Sequence, residues 1–189
     1  VTTSAATSLA AEQATLNGTV NANNAATTVT FEYGTTIALG TTITITGDVT
    51  GTTDTPIAYT LTGLDPSTTY YYRIVGTNTA GTANGDIVSF STTPVGTGTN
   101  VDPYQIATLN DLKWLSDTKS AWVAGTYFIQ TADIDASATS AWDAGDGFSP
   151  IGNGIDNFYG NYDGSNHLIT GLTINRSTSD HMGLFACLN

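Results

Sequence analysis

The stretch Phe158–Ile174, FYGNYDGSNHLITGLTI, together with Gly183–Asn189, GLFACLN, decides how the second half of this 189-residue chain folds. It predicts two short strands around a tight turn at Asp163–Asn166, because Gly and Asn accept the positive φ angles that such turns need. After the turn, Leu168, Ile169, Leu172 and Ile174 are apolar, with Thr170 and Gly171 between the two pairs.

Two apolar residues after the turn predict a corner in the backbone. Ile169 and Leu172 lie three positions apart, so one flat pleat cannot bury both side chains. A corner at Gly171 lets both point inward, as successive sides of a β-solenoid coil do. One such coil cannot bury its own faces, and neighbours normally stack on it. We expect an open assembly edge here, formed by Leu168, Ile169, Leu172, Ile174, Leu184 and Phe185.

The composition is acidic, with only 4 Lys and Arg residues and a formal net charge of −12. An acidic, evenly spread surface argues against nucleic acid and anionic membranes as partners, because both require basic patches. No stretch approaches the roughly 20 apolar residues of a membrane helix. Cys187 is the one cysteine, so no disulfide can form within the chain. Because it follows Phe185 and Ala186, it is expected to pack as a small apolar residue, and a disulfide to another chain is the alternative. We expect an extracellular or cell-surface location and no membrane insertion.

Period-two alternation of apolar and polar residues runs through the first half of the chain, from Leu9 to Thr93. It predicts six strands, and a weaker one before Leu9, at the spacing of an all-β sandwich. The apolar positions are Ala14, Leu16 and Val20; Val29, Phe31 and Tyr33; Ile43 and Ile45; Ile57, Tyr59 and Leu61; Tyr70, Tyr72 and Ile74; and Val88 and Phe90.

The segment 61–78, LTGLDPSTTYYYRIVGTN, carries a specific turn motif. Leu64, Pro66 and Tyr70 have the Leu-x-Pro-x-x-x-Tyr spacing of a tyrosine corner, and an alternating strand follows. Over about residues 3–94 the chain resembles a fibronectin type III domain of bacterial surface and secreted proteins. The Trp often found on the second strand of that family is replaced by Leu16. The resemblance implies a β-sandwich and no particular activity.

A boundary between two domains is predicted at PVGTGTN, where Pro, Gly and small polar residues replace the alternation. We expect a sandwich over residues 1–94, a linker over 95–101 and a second domain over 102–189. In the second domain, Thr108 and Asp111 have the spacing of a capping box, which predicts a short helix over 109–117. Strands are predicted at 103–106 and 127–134.

Several separated motifs of the second domain carry a second resemblance. The order PYQIATLNDLKWLSD, TYFIQTADIDAS, FSPIG, YGNYDGSNHLITGLTINR and MGLF is similar to the entry region of surface proteins with GLUG motifs. The resemblance implies the start of a right-handed β-solenoid capped by a short helix. It departs from the family at Ala186 and Cys187, where Gly and an aromatic residue usually follow. The expected fold is thus mainly all-β: a type III sandwich, then a helix-capped solenoid segment.

Candidate chemistry is sparse. Asp133 and Asp135 face one way on a strand, about 7 Å apart, which overlaps the spacing of paired glycosidase carboxylates. Both fall in the ADID pattern of the resemblance, so we expect them to be structural and expect no enzymatic activity. The loop Asp143–Gly147 is acidic and rich in Gly, and Asp143 and Asp146 could hold Ca²⁺. A solvated loop without a metal is the alternative, and no other cofactor is indicated.

Four aromatic residues flank that acidic loop: Trp122, Trp142, Phe158 and Tyr159. Aromatic rings can stack on sugars, but Trp is also a natural filler beneath a capping helix. The sequence favours a non-enzymatic structural or adhesive module of a cell-surface stalk or filament. Its expected partners are other subunits or copies of itself, which join at the open edge. The alternative is a carbohydrate-binding accessory module that contacts surface polysaccharide.

Overall fold

In the computed structural model, which describes residues 1–176 and 180–188, the chain divides into two units, Val1–Thr93 and Pro94–Asn189. Asn189, the last residue of the GLFACLN stretch, lies outside the described residues. The described part is mainly β. Its helices are all too short or too polar to cross a bilayer.

Eight strands form two antiparallel sheets in the first unit. One sheet has the strand order β1-β2-β5. The other has the order β4-β3-β6-β7, and β8 pairs with β6 as its fifth strand. The strands are β1 Thr2–Thr7, β2 Gln13–Val20, β3 Thr28–Gly34, β4 Thr41–Thr44, β5 Thr55–Thr62, β6 Thr69–Asn78, β7 Gly81–Asn84 and β8 Val88–Ser91. Every second residue of β2 is buried, as the alternation predicted. Leu16, at the position of the missing Trp, is fully buried.

The tyrosine corner is present as predicted. The Tyr70 hydroxyl accepts a hydrogen bond from the Asp65 backbone N–H at 3.1 Å, and Leu64 is buried beside it. The ring of Tyr70 stacks on Phe90, with 5.6 Å between the ring centroids. The sheet order and this corner make the first unit a fibronectin type III-like β-sandwich.

The weaker strand predicted before Leu9 is confirmed, and one further strand was not predicted. β1 pairs with β2 from Thr2 to Thr7, with one irregularity between Ser4 and Thr7. The strand β7, which no pattern indicated, pairs with the last residues of β6. All four of its residues are exposed, so it carries no apolar alternation that could reveal it.

Among residues 94–176 and 180–188, the second unit contains one α-helix and five short strands. The elements are β9 Tyr104–Ile106, α1 Leu109–Asp117, β10 Tyr127–Gln130, β11 Ile134–Asp135, β12 Asn161–Asp163 and β13 Ile169–Thr170, with 3₁₀ turns at Lys119–Ala121 and Ser137–Gly145. The predicted strand 127–134 is wrong in one respect, because a turn splits it into β10 and β11. Residues of the predicted linker bond within this unit: the carbonyl of Val95 accepts from Gln105 N–H, and that of Gly98 from Tyr127 N–H.

The predicted helix and its capping box are confirmed. Thr108 accepts from the Asp111 backbone N–H, and the Asp111 carboxylate accepts from the backbone N–H groups of Ala107 and Thr108, at 3.0 and 2.8 Å. Leu112 and Leu115 on the apolar stripe of the helix are fully buried. The helix therefore covers the apolar core of the second unit.

Candidate functional site: the edge of the second pass

The chain passes twice over the core of the second unit, and we call residues 127–158 the first pass and residues 161–176 and 180–188 the second pass. The two passes pair in parallel at four places. β12 lies on β10, with Tyr127 opposite Asn161, and β13 lies on β11, with Ile134 opposite Ile169. Further on, isolated bridges join Ile151 to Phe185 and Phe158 to Leu188. An antiparallel bridge between Gly147 and Ile174 lies between these pairs.

Backbone hydrogen bonds follow the two passes along their length. At β11, the N–H groups of Ile134 and Ala136 donate to the carbonyls of Leu168 and Thr170, at 2.8 and 2.7 Å. Three further bonds join residues 151 and 158 of the first pass to residues 184–187 of the second, each 2.9 Å long. These main-chain bonds hold the second pass to the first in addition to any contacts of its side chains.

Glycines let the two backbones approach closely. Gly171 has a φ of +69°, and a Cβ there would lie 3.0 Å from the Cα of Ser137. The corner predicted at this position is confirmed, since Ile169 and Leu172 on either side of it both pack against the core. At Gly152, φ is +80° and a Cβ would lie 2.4 Å from the carbonyl oxygen of Cys187. Only glycine fits there without displacing the second pass.

The residues predicted to form the assembly edge differ in exposure. Leu168 is exposed, with 61% of its surface accessible to solvent. The others are half-buried and pack against the core: Ile169, Leu172, Ile174, Leu184 and Phe185. Their side chains therefore anchor the second pass. What remains open is the outer backbone edge, because β12 and β13 are each the last strand of their sheet in the described part of the chain.

The turn of the first pass is fastened to the turn of the second. Asp133 accepts hydrogen bonds from the Leu168 backbone N–H at 3.0 Å and from the ring of His167 at 3.1 Å. The bond from Leu168, followed by that from His167, holds the pKa of Asp133 below its usual range. Asp135 accepts from the Ser137 backbone N–H, which likewise lowers its pKa. Asp133 and Asp135, which have the spacing of paired glycosidase carboxylates, thus each accept a hydrogen bond from a backbone N–H group.

A polar contact between the passes was not indicated by the sequence. The Tyr162 hydroxyl in β12 donates to the side-chain carbonyl of Gln130 in β10 at 3.1 Å. Gln130 is buried, and its amide nitrogen donates to the carbonyls of Ala132 and Leu168. Burial raises the pKa of Tyr162 to about 12. A buried Gln with each polar group bonded fixes the register of β12 on β10.

The four aromatic candidates do not form one surface. Trp122 is 3% exposed, and its indole N–H donates to the Leu115 carbonyl at 2.7 Å. Phe158 is also 3% exposed and lies between the rings of Phe128 and Phe185. These two rings fill the core beneath α1 and are closed to a ligand, which corrects the proposed four-residue platform. Trp142 is half-buried and Tyr159 is exposed.

In the acidic loop, Asp143 is paired with an arginine side chain of the same chain. Asp143 accepts a hydrogen bond from the guanidinium of Arg176, which also donates to the carbonyls of Gly147 and Phe148. Within residues 1–176 and 180–188, no three His, Cys, Asp or Glu side chains lie close enough together to hold a metal ion. Asp143 and Asp146 therefore have no third side-chain ligand of these types for calcium.

No family model matches the chain. Two relatives are similar to about half of it. One is halomucin from Haloquadratum walsbyi, which is 43% identical over 99 residues, or 50% of this chain and 1% of halomucin. The other carries the name Gly-rich membrane protein, comes from Evansella cellulosilytica, and is 33% identical over 93 residues, or 49% of this chain and 10% of that protein. The chain thus spans a small part of both.

Solved structures resemble about half of the chain as well. The sensor domain of the anti-sigma factor RsgI4 in Pseudobacteroides cellulosolvens has a TM-score of 0.39 and 18% identity, over 48% of this chain and 90% of that domain. The sixth fibronectin type III domain of a human fibronectin type III domain containing protein has a TM-score of 0.33 and 20% identity, over 48% of this chain and 80% of that one.

Proposed function

We propose that this chain is a non-enzymatic, extracellular structural module that joins other β-coils at the outer edge of its second pass. The observation that carries the proposal is the backbone edge of β12 and β13, which has a partner on one side in the described part of the chain. An edge strand presents N–H and C=O groups that another strand can bind. The relative named as a membrane protein supports a place at the cell surface.

The proposal includes the architecture of the second unit, which we interpret as the first coils of a helix-capped β-solenoid. Two features support this interpretation. The passes pair in parallel with offsets of 30–35 residues, since Tyr127 lies opposite Asn161, Ile134 opposite Ile169 and Phe158 opposite Leu188. The helix α1 closes one side of the core with Leu112 and Leu115. A coil of this kind gains stability from each neighbour that stacks on it.

Amide hydrogen exchange tests whether the edge is open. In the isolated chain, we expect outward-facing amides of β12 and β13 to exchange much faster than the amides of β10, which lies between β9 and β12. Equal, slow exchange in β10, β12 and β13 would show that the edge is already covered, and would overturn the proposal.

Association between copies is tested by light scattering coupled to size exclusion over a hundredfold range of concentration. We expect the mean mass to rise with concentration, and Leu168→Lys to suppress the rise by placing a charge beside the edge. Ile37→Lys is the matched control, since Ile37 is 71% exposed and belongs to the first unit rather than to the second pass. A wild-type chain that stays monomeric throughout would refute assembly from copies of this chain.

A further inference from the structure

A groove in the second unit collects all of its Lys and Arg side chains. Two adjoining cavities, of about 240 and 350 Å³, share Ser116, Asp117 and Ser149 in their walls. Lys113 lines the smaller cavity, and Lys119 and Arg176 line the larger. The one other cation of the chain's 4 Lys and Arg residues, Arg73, is in the first unit. The two cavities are lined by these three cations and by two carboxylates, Asp117 and Asp143, so the combined lining is net positive in a chain of net charge −12.

The cations of the groove are held in exchangeable ion pairs. Lys113 pairs with Asp117 and Lys119 with Asp156, and the four side chains are 45–57% exposed. Surface pairs of this kind contribute little to stability, so a ligand carboxylate can take the place of an aspartate at modest cost. The aspartate that is released then needs a hydrogen-bond donor, which the ligand must supply.

An aromatic ring lies beside these cations. Trp142 lines the smaller cavity, and its ring stacks against Phe148 with 6.4 Å between the centroids. The Lys113 ammonium lies 5.6 Å from the Trp142 centroid. The flexible Lys113 side chain can turn from the ring toward an incoming carboxylate, which uncovers an apolar surface for the rest of the ligand.

We propose that this groove binds a uronate unit of an anionic polysaccharide. The sugar carboxylate bonds to Lys113, the C–H face of the sugar ring lies against Trp142, and the sugar hydroxyls donate to Asp117 and Asp143. An acidic peptide fits less well, because its carboxylates meet the same aspartates without hydroxyl donors to satisfy them. The proposal is independent of the assembly edge, since it uses none of the residues of β12 or β13.

The test measures binding of trigalacturonate by calorimetry and by NMR of the indole N–H signals. The chain has 3 Trp residues, so the Trp142 signal is readily resolved. We expect trigalacturonate to shift the Trp142 signal and neutral galactotriose to bind at least about tenfold more weakly. Lys113→Gln and Trp142→Ala should each weaken trigalacturonate binding by about tenfold or more.

Arg73→Gln is the matched control, because it removes one positive charge from an ion pair, with Glu32, in the other unit. Its affinity should equal that of the wild type. If Arg73→Gln and Lys113→Gln weaken trigalacturonate binding equally, the loss of affinity reflects the overall charge of the chain, and the proposed site is overturned. Absence of binding, equal binding of galactotriose, or equal binding of pentaglutamate would each overturn the uronate assignment. If Trp142→Ala does not fold, Lys113→Gln still tests the site, because the Lys113 side chain is half-exposed and its replacement should leave the fold intact.

Discussion

Replacing Gly152 by alanine is expected to loosen the second pass from the first. The backbone at Gly152 has a φ of +80°, and an added Cβ would lie 2.4 Å from the carbonyl oxygen of Cys187. Relief of this contact requires the second pass to move by about 1 Å, because a non-bonded carbon and oxygen normally stay more than about 3 Å apart. The hydrogen bond from Phe158 to Cys187 lies at the same place and would be stretched.

The size of the effect follows from two contributions. An alanine at positive φ costs about 1–2 kcal/mol. Loss of the two backbone hydrogen bonds beside Gly152, from Phe158 to Cys187 and from Ala186 to Ile151, adds about 0.5–1.5 kcal/mol each. Gly125→Ala is the matched control, because Gly125 has a φ of +87° and no atom within 4 Å of the added Cβ. The control should therefore cost the φ contribution alone, and Gly152→Ala should exceed it by about 1–3 kcal/mol.

Tryptophan fluorescence during thermal unfolding measures this difference. The three Trp residues, Trp114, Trp122 and Trp142, all lie in the second unit, so the signal follows that unit. For a unit of this size, each kcal/mol lowers Tm by about 4–8 °C, so Gly152→Ala should melt about 5–20 °C below Gly125→Ala. Equal melting temperatures for the two variants would refute the close approach of Gly152 to the second pass.

Three further predictions follow from hydrogen bonds in the two units. Tyr70→Phe should destabilise the sandwich by about 1–2 kcal/mol in calorimetry, because it leaves the Asp65 N–H without its acceptor. Asp111→Ala should cost about 2–3 kcal/mol by tryptophan fluorescence, since this buried carboxylate accepts three hydrogen bonds around the helix cap. Acidification should weaken the attachment of Leu168 to Asp133. The pKa of Asp133 is lowered by folding, so its stabilisation is present at neutral pH and is lost progressively below about pH 4. The NMR signal of the Leu168 amide reports this loss.

Each of these predictions has a control within the chain. Tyr59→Phe should change stability by less than about 0.5 kcal/mol, because Tyr59 is on an exposed face. Asp117→Ala should cost less than about 1 kcal/mol, as the loss of a surface pair with Lys113. Asp133→Asn should abolish the acid response of the Leu168 amide. A response that persists in this variant would assign it to another group.

Features encoded within a few residues could be predicted from the sequence. The tyrosine corner spans seven positions and the capping box four, so each motif contains both partners of its hydrogen bond. The corner at Gly171 could also be found, because the spacing of Ile169 and Leu172 excludes a flat strand. These signals depend on local backbone geometry, which the sequence determines directly.

Features that depend on distant partners could not be predicted. Trp122 and Trp142 look alike in sequence, yet only Trp122 lies beneath α1 with its indole bonded to Leu115. A polar residue such as Gln130 is expected to face solvent. Its burial is explained by the hydrogen bond from Tyr162, which lies 32 positions later in the sequence. The convergence of Lys113 and Arg176 on one groove likewise arises from the path of the chain in space.

The sequence offset between the two passes determines how many residues each layer of the proposed solenoid uses. Tyr127 and Asn161 are 34 residues apart in sequence but sit on adjacent strands, which lie about 4.8 Å apart. In the proposed solenoid, each added layer of this kind would use 30–35 residues, the range of offsets between the passes, to gain about 4.8 Å of height. A column of such layers would be wide relative to its length. It would resist bending, because hydrogen bonds around its perimeter join every layer to the one below.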